Sequence, residues 1–263
     1  MKKLEITILT ENVAGGKFLA EHGLSYLINI DNELVLFDTG HSDVFLKNAN
    51  ALGFDIHNNV TKVVLSHGHW DHGDGLRFIA NKTLIAHPGS FVKRYRKANG
   101  TTVGLTLSKK EINEKFTLIE SKNSYKVSAN LFFLGEIPRT NSFESKTTTF
   151  ELENGEEDFI PDDSALAAVV NNELVVITGC SHSGICNICE HAKKITGINK
   201  IAAVIGGFHL KHQNNQTKKT VEYFKSNGVK RLLPSHCTEL PALTLFYETF
   251  KTEQVKTGVK FQF

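Results

Sequence analysis

Three histidines and an aspartate fall within six residues in Ser66-His67-Gly68-His69-Trp70-Asp71-His72-Gly73-Asp74-Gly75, directly after the apolar run Val63-Val64-Leu65. Those residue types at that spacing are suited to holding metal ions. In extended backbone, residues two apart face the same side, so His67 and His69 can share one ion. Asp71 and His72 come where the chain should turn into a helix, which aims them at a neighbouring point. Neutral imidazole and carboxylate are the usual ligands of zinc and its neighbours. Gly68, Gly73 and Gly75 let backbone pack closely around such a point. A His-rich surface loop would need neither the strand before it nor the glycines within it.

Further ligand-type residues stand at the ends of other apolar runs. Asp38 closes Leu36-Phe37, where it could orient a ligand imidazole. His87 precedes Pro88-Gly89. Cys180 and His182 lie in Thr178-Gly179-Cys180-Ser181-His182-Ser183-Gly184, His209 follows Gly206-Gly207-Phe208, and His236 stands in Pro234-Ser235-His236-Cys237-Thr238. The four cysteines, Cys180, Cys186, Cys189 and Cys237, all fall in the last third of the chain, which suits thiols near a site better than a disulfide framework. Cys186 and Cys189 form a lone Cys-x-x-Cys pair that fits a helix facing the core. Arg139 and the cluster Lys93, Arg94, Arg96 and Lys97 could hold a phosphate or carboxylate, with solvated surface charge as the plainer reading of the cluster.

The elements that must carry these residues follow from apolar periodicity and turn signals. Strands are expected at 3–10, Leu24–Ile30, Glu33–Phe37, Thr61–Leu65, Thr83–Ala86, Ala165–Val170, Glu173–Thr178, Ile201–Ile205 and Lys230–Leu233. Asp31-Asn32 and Asn171-Asn172 read as hairpin turns. Helices are expected up to Leu52, from the metal loop to about Ala80, from Ile185 to about Thr196, near Thr217–Ser226 and near Ala242–Phe250, with an extended tail after the last. A strand–helix–strand unit favours a parallel, right-handed crossover. Residues 91–160 have the weakest pattern and are expected to form a lid or insertion on a single domain spanning 1–263.

The chain has 263 residues, enough for a substantial core, and a net charge of +2 from 30 basic and 28 acidic residues. That balance argues against nucleic acid as a partner, and no apolar run is long enough to span a bilayer. Without a recognisable export signal at its start, the sequence is expected to be cytoplasmic, with a small-molecule substrate that could carry phosphate. Its oligomeric state is not legible. A nucleotide-binding glycine fingerprint and a Gly-x-Ser-x-Gly nucleophile elbow are both absent.

Leu36-Phe37-Asp38-Thr39-Gly40 followed by His67-x-His69-x-Asp71-His72 resembles the metallo-β-lactamase superfamily. Glu21-His22-Gly23-Leu24-Ser25, the Thr178–Gly184 segment, Ile205-Gly206-Gly207-Phe208-His209 and Pro234-Ser235-His236-Cys237-Thr238 are similar to its dihydropteroate-synthase-like subgroup. The resemblance implies an αββα sandwich with a dinuclear site at one edge of the two sheets. It implies His67 and His69 on one ion, Asp71 and His72 on the other, and His236 as the final ligand. Where the superfamily commonly carries a Gly-His-Thr segment, this chain has Pro161-Asp162-Asp163-Ser164, so His182 is assigned as the missing imidazole and Cys180 as the bridging ligand, with Asp163 or His209 as substitutes. The implied cofactors are two divalent ions, zinc first, iron or manganese as alternatives. The implied activity is a metal-dependent hydrolase in which a water of lowered pKa attacks an ester, thioester, lactone or phosphoester, with Asp71 as ligand and orienting group. Two alternatives stand beside it. One is a transferase joining a dihydropterin diphosphate to an aminobenzene ribose phosphate. The other is a non-hydrolytic metal or redox protein.

Overall fold

The computed structural model describes residues 3–263. Its strands are β1 (Glu5–Thr10), β2 (Ser25–Ile30), β3 (Glu33–Phe37), β4 (Lys62–Val64), β5 (Lys82–Ala86), β6 (Arg94–Arg96), β7 (Phe116–Glu120), β8 (Tyr125–Lys126), β9 (Leu131–Phe133), β10 (Phe150–Leu152), β11 (Ala165–Val170), β12 (Glu173–Thr178), β13 (Ile201–Gly207), β14 (Arg231–Ser235) and β15 (Lys260–Gln262). Its α-helices are α1 (Val44–Ala51), α2 (Ile56–Asn59), α3 (Trp70–Gly73), α4 (Lys109–Lys115), α5 (Ile185–Thr196), α6 (Asn215–Ser226) and α7 (Leu240–Phe250). Seven strands form one sheet in the order β15-β1-β2-β3-β4-β5-β7, six form another in the order β14-β13-β12-β11-β9-β8, and β6 with β10 makes a small ribbon.

The strands alternate in what they bury, as a period of two requires. Val175 and Ile177 of β12 face the first sheet and meet the same cluster as Ile6, Tyr26, Val35 and Phe37. Leu174 and Val176 face the other way, onto Ile188 of α5, Phe224 of α6 and Phe246 of α7. On the far side, Leu36, Val63 and Leu84 pack against Phe45 and Ala49 of α1 and Ile112 of α4. The result is the expected αββα sandwich. Central strands buried on both faces explain the near-continuous apolar runs in the sequence, and each fully buried large side chain contributes roughly 1.5–3 kcal/mol. Among the described residues no helix is long and apolar enough to cross a membrane.

Both expected hairpin turns have left-handed backbone at both central residues, Asp31 and Asn32 at φ 55° and 62°, Asn171 and Asn172 at φ 49° and 64°. Asparagine and aspartate tolerate that conformation, and it matches strand twist. One helix departs from expectation. The metal loop leads only into the four-residue α3, and Asp74–Phe78 continues as a 3-10 turn. Two packed glycines explain the break: a Cβ on Gly73 would lie 2.5 Å from Leu105, and one on Gly75 would lie 2.2 Å from the Thr39 carbonyl. The expected tail includes β15, antiparallel to β1. Within 91–160, β7 adds an edge strand to the first sheet, β8 and β9 add two to the second, and β6 pairs with β10.

Strand direction decides where the chemistry gathers. β3, β4 and β5 are parallel neighbours, as are β12, β13 and β14. Their carboxyl ends lead directly into Asp38, the His67–His72 loop and His87 in one sheet, and into Cys180–His182, His209 and His236 in the other. Ligand sites of open α/β sheets lie beyond the carboxyl ends of parallel strands.

Candidate metal centre

Beyond β4 the chain bends at Ser66 and Gly68, and His69, extended at φ −91° and ψ 146°, leads into α3. His67 and His69 project together, with His67 Nε2 3.0 Å from His69 Nδ1. Gly68 between them has no room for a side chain, since a Cβ would lie 1.8 Å from the Ser90 carbonyl oxygen. Asp162 accepts from its N–H at 2.7 Å and is in turn held by the buried Arg94 guanidinium at 2.8 Å.

Two sets of donor atoms converge. His67, His69 and His182 offer ligand atoms within 4.8 Å of one another, and so do Asp71, His72 and His236. Cys180 groups with His67 and His72, and also with His182 and His209. His72 Nε2 lies 3.2 Å from Cys180 Sγ and 3.1 Å from His236 Nε2. The sharp exits from the strands that deliver these groups use left-handed backbone at four non-glycine residues, Asp38, Ser181, His209 and His236. Each such residue costs on the order of 1–3 kcal/mol and persists only when its surroundings over-determine it.

The donors fit a divalent cation. His69 Nε2, His182 Nε2 and His209 Nδ1 are buried with no hydrogen-bond partner, and an unmet buried polar atom costs about 1–3 kcal/mol. Ring nitrogens that face one another without partners are the arrangement a cation satisfies. Burial holds His67, His69 and His182 well below the ordinary imidazole pKa, so they stand neutral with lone pairs available. Asp71 is opposed by burial, but His72, His22 and His236 together hold its carboxyl well below the usual range.

Asp38 sets two of the imidazoles. It accepts from the Ser66 N–H at 2.7 Å, from Ser66 Oγ at 2.7 Å and from His72 Nδ1 at 2.7 Å. Since Ser66 Oγ donates to Asp38, it accepts from His67 Nδ1 at 2.9 Å. Both rings are thus fixed with Nδ1 protonated and Nε2 turned inward. Burial opposes charge on His72, but the carboxylates of Asp71 and Asp38 outweigh it and raise its pKa to about 9. A proton on His72 Nε2 would compete with an ion for the same lone pair. Near pH 7.5, uptake is expected to release about one proton at this residue, and ion affinity to fall about tenfold per pH unit of acidification. Calorimetry in buffers of different ionisation enthalpy measures this, and uptake with no proton release would contradict it.

The remaining candidates are placed as follows. Asp163 lies behind the His182 turn, where Oδ2 accepts from the Ser183 N–H at 2.9 Å and burial raises its pKa to about 6. It belongs to none of the converging sets; Asp162 accepts from the Gly68 N–H, and the Asp163 Oδ1 is buried without a hydrogen-bond partner. His209 does lie within ligand distance of Cys180 and His182. Arg139 donates to the Phe159 carbonyl, away from the converging donors. In the basic cluster, Lys93 pairs with Glu153 and Lys97 with Glu157, and Arg94 is sealed between Asp158 and Asp162. Only Arg96 of that cluster lines the cavity above the donors. Cys186 and Cys189 are buried in α5 against the second sheet. His87 is buried with its Nδ1 on the Gly89 N–H.

Above the donors opens a cavity of about 240 Å³ whose walls include His22, Trp70, Arg96, Phe150 and Lys211. A second cavity of about 220 Å³ adjoins it beneath residues 145–150, sharing Phe150, His182, His209 and Lys211. Sequence reading missed Trp70 and Phe150 as cavity walls and Glu11 and Asn12 behind His236; none stands in a local pattern that marks it.

Residues 20–94 match the profile of the metallo-beta-lactamase superfamily. A 7,8-dihydropterin-6-methyl-4-(beta-D-ribofuranosyl)-aminobenzene-5'-phosphate synthase of Methanocaldococcus jannaschii is 34% identical, with 95% of this chain and 92% of that protein covered. The uncharacterized protein MJ0448 of the same organism is 36% identical over 91% of this chain and 92% of its own length. Among solved structures, Tm1679, described as a metal-dependent hydrolase of the beta-lactamase superfamily, superposes with a TM-score of 0.86 at 33% identity, covering 98% of each chain.

Proposed function

This chain belongs to the metallo-β-lactamase superfamily, and on that premise we propose that it is a metal-dependent hydrolase of a small anionic ester, with a phosphoester as the leading substrate class. The observation that carries the reading is the cavity of about 240 Å³ that is lined by His69, Asp71, Cys180, His182 and His236 together with Arg96 and Lys211. That volume, somewhat below the roughly 300–1,000 Å³ of typical ligand pockets, suits one modest substrate. His67, His69 and His182 would hold one ion, and Asp71, His72 and His236 another, with Cys180 between them. The donor set of imidazole, carboxylate and thiol favours zinc, with iron or manganese also compatible.

When bound, divalent ions supply Lewis acidity at the electrophile and lower the pKa of water. The chain's own residues do the rest. Arg96 and Lys211 receive the anionic group, and Trp70 and Phe150 flank the organic portion and exclude bulk water. Asp71 orients the attacking water through a carboxylate oxygen. His22 Nε2 lies 3.2 Å from Asp71 Oδ2, and that hydrogen bond raises the His22 pKa, so a half-exposed proton donor stands beside the site. It would pass the Nε2 proton to the leaving oxygen. The ribbon of β6 and β10, which supplies Arg96 and Phe150, acts as the cover of the site.

A second reading is a transferase that joins a dihydropterin diphosphate to an aminobenzene ribose phosphate with loss of diphosphate. It is favoured by the synthase relative at 34% identity and by the adjoining cavity of about 220 Å³, which offers room for a second substrate. The metal-loaded protein should be assayed against aryl phosphoesters, lactones and thioesters, and separately for diphosphate release from a dihydropterin diphosphate. Ester hydrolysis with no acceptor present supports the hydrolase. Diphosphate release that requires the arylamine overturns it in favour of transfer.

A further inference from the structure

We infer that Asn12, in the loop that follows β1 of the first sheet, is the positioning residue for the His236 imidazole of the second, and that it thereby sets ion affinity at the Asp71/His72/His236 cluster. The inference rests on the metal reading above but adds a residue that no motif marks.

His236 leaves β14 in left-handed backbone, at φ 52°. Three bonds from the loop that follows β1 hold it there. Glu11 Oε1 accepts from the His236 N–H at 2.7 Å, Asn12 Nδ2 donates to the His236 carbonyl at 3.1 Å, and Asn12 Oδ1 lies 3.1 Å from His236 Nδ1. Asn12 is itself fixed, since the Gly23 N–H donates to the same Oδ1 at 3.2 Å, and Glu11 is pinned by the Asn12 N–H at 2.9 Å. An amide oxygen is only an acceptor, so the ring must carry its hydrogen on Nδ1. That leaves His236 Nε2 turned inward, 3.1 Å from His72 Nε2 and 3.4 Å from Asp71 Oδ2. The arrangement parallels Asp38 behind His72, with one difference: Asn12 is neutral and exposed, whereas Asp38 is charged and buried. None of His67, His69 and His182 has a hydrogen bond to Asn12, so its effect should be confined to one cluster. Groups that hold a ligand histidine in this way typically account for about 10–100-fold in metal affinity.

The test is Co(II) titration of the chelator-stripped full chain, read by visible absorption, for the parent, Asn12→Leu and Asn12→Asp. Asn12→Leu should weaken one class of bound Co(II) about 10–100-fold and change its spectrum, leaving the other class at parent affinity. Asn12→Asp keeps an acceptor oxygen and should restore binding. Thermal unfolding of the metal-free proteins reads any general loosening, and long-range 15N–1H NMR of the Zn-loaded parent should show His236 protonated at Nδ1. Parent-like titration of Asn12→Leu, equal loss from both classes, or an Nε2–H ring would overturn the inference. A parent that takes up no Co(II) would instead overturn the metal reading, and the inference with it.

Discussion

Replacing His69 by alanine should remove bound metal and cut turnover of the hydrolysed ester by more than about 100-fold, a larger loss than removal of the groups behind the ligands produces. His69 is nearly fully buried, its Nδ1 is 3.0 Å from His67 Nε2, and its Nε2 has no partner in the protein. Alanine leaves His67 and His182 as two of the three imidazoles that converge there. Elemental analysis of the purified variant and its kcat/KM check the result together, and a variant with full metal content and parent-like turnover would sink the assignment. Under the proposed metal reading, ion binding should also stabilise the fold, because the donors come from strands that meet only in the native state. Binding to the folded form alone adds about 4 kcal/mol at free-ion concentrations a thousandfold above Kd. Chelation should therefore lower the unfolding temperature of the parent more than that of His69→Ala.

Replacing Arg94 by methionine should destabilise the protein by about 3–5 kcal/mol, the usual cost of stripping one partner from a buried ion pair. Arg94 is fully buried. Its Nη2 is 2.8 Å and its Nη1 3.2 Å from the two Asp162 oxygens, and its Nε is 3.2 Å from Asp158 Oδ2. Burial disfavours the guanidinium, but Asp162 and Asp158 outweigh that and hold its pKa above the ordinary value. Methionine fills the volume and strips the guanidinium from two buried carboxylates, one of them gripping the Gly68 N–H between His67 and His69. For a chain of this size each kcal/mol corresponds to about 2–4 °C in Tm. Urea unfolding measures the loss directly, and a change below about 1 kcal/mol would show that the pair contributes little beyond its own desolvation.

Arg94 also shows where reading residues in order misleads. In the sequence it belongs to a basic cluster whose plainer reading is solvated surface charge. In the fold Arg94 shares a face of β6 with Arg96, two residues on, but Arg94 is buried between Asp158 and Asp162, whereas Arg96 at the end of the strand lines the cavity. Asp163 is a similar case. It occupies the place where the resemblance expects a ligand, and the turn at 161–164 directs its Oδ2 to the Ser183 backbone while Oδ1 is left without a partner. The partition of 91–160 between both sheets was illegible for another reason. Its strands are mostly two to five residues long and add to sheet edges, so they carry little periodicity of their own.

What the sequence by itself determined is what short-range geometry controls. The His67–His72 spacing, the two left-handed hairpin turns and the doubly buried central strands depend on residues a few positions apart, and such patterns survive in a one-dimensional reading. The parallel strand ends were also legible, because a strand–helix–strand unit can return only one way. What the tertiary structure decided is which of those ends meet. The grouping of His182 with His67 and His69, of His236 with Asp71 and His72, and of Asn12 with a residue 224 positions away depends on how two sheets stack. No local pattern encodes that stacking, since it follows from the apolar faces of both sheets being buried against each other at once.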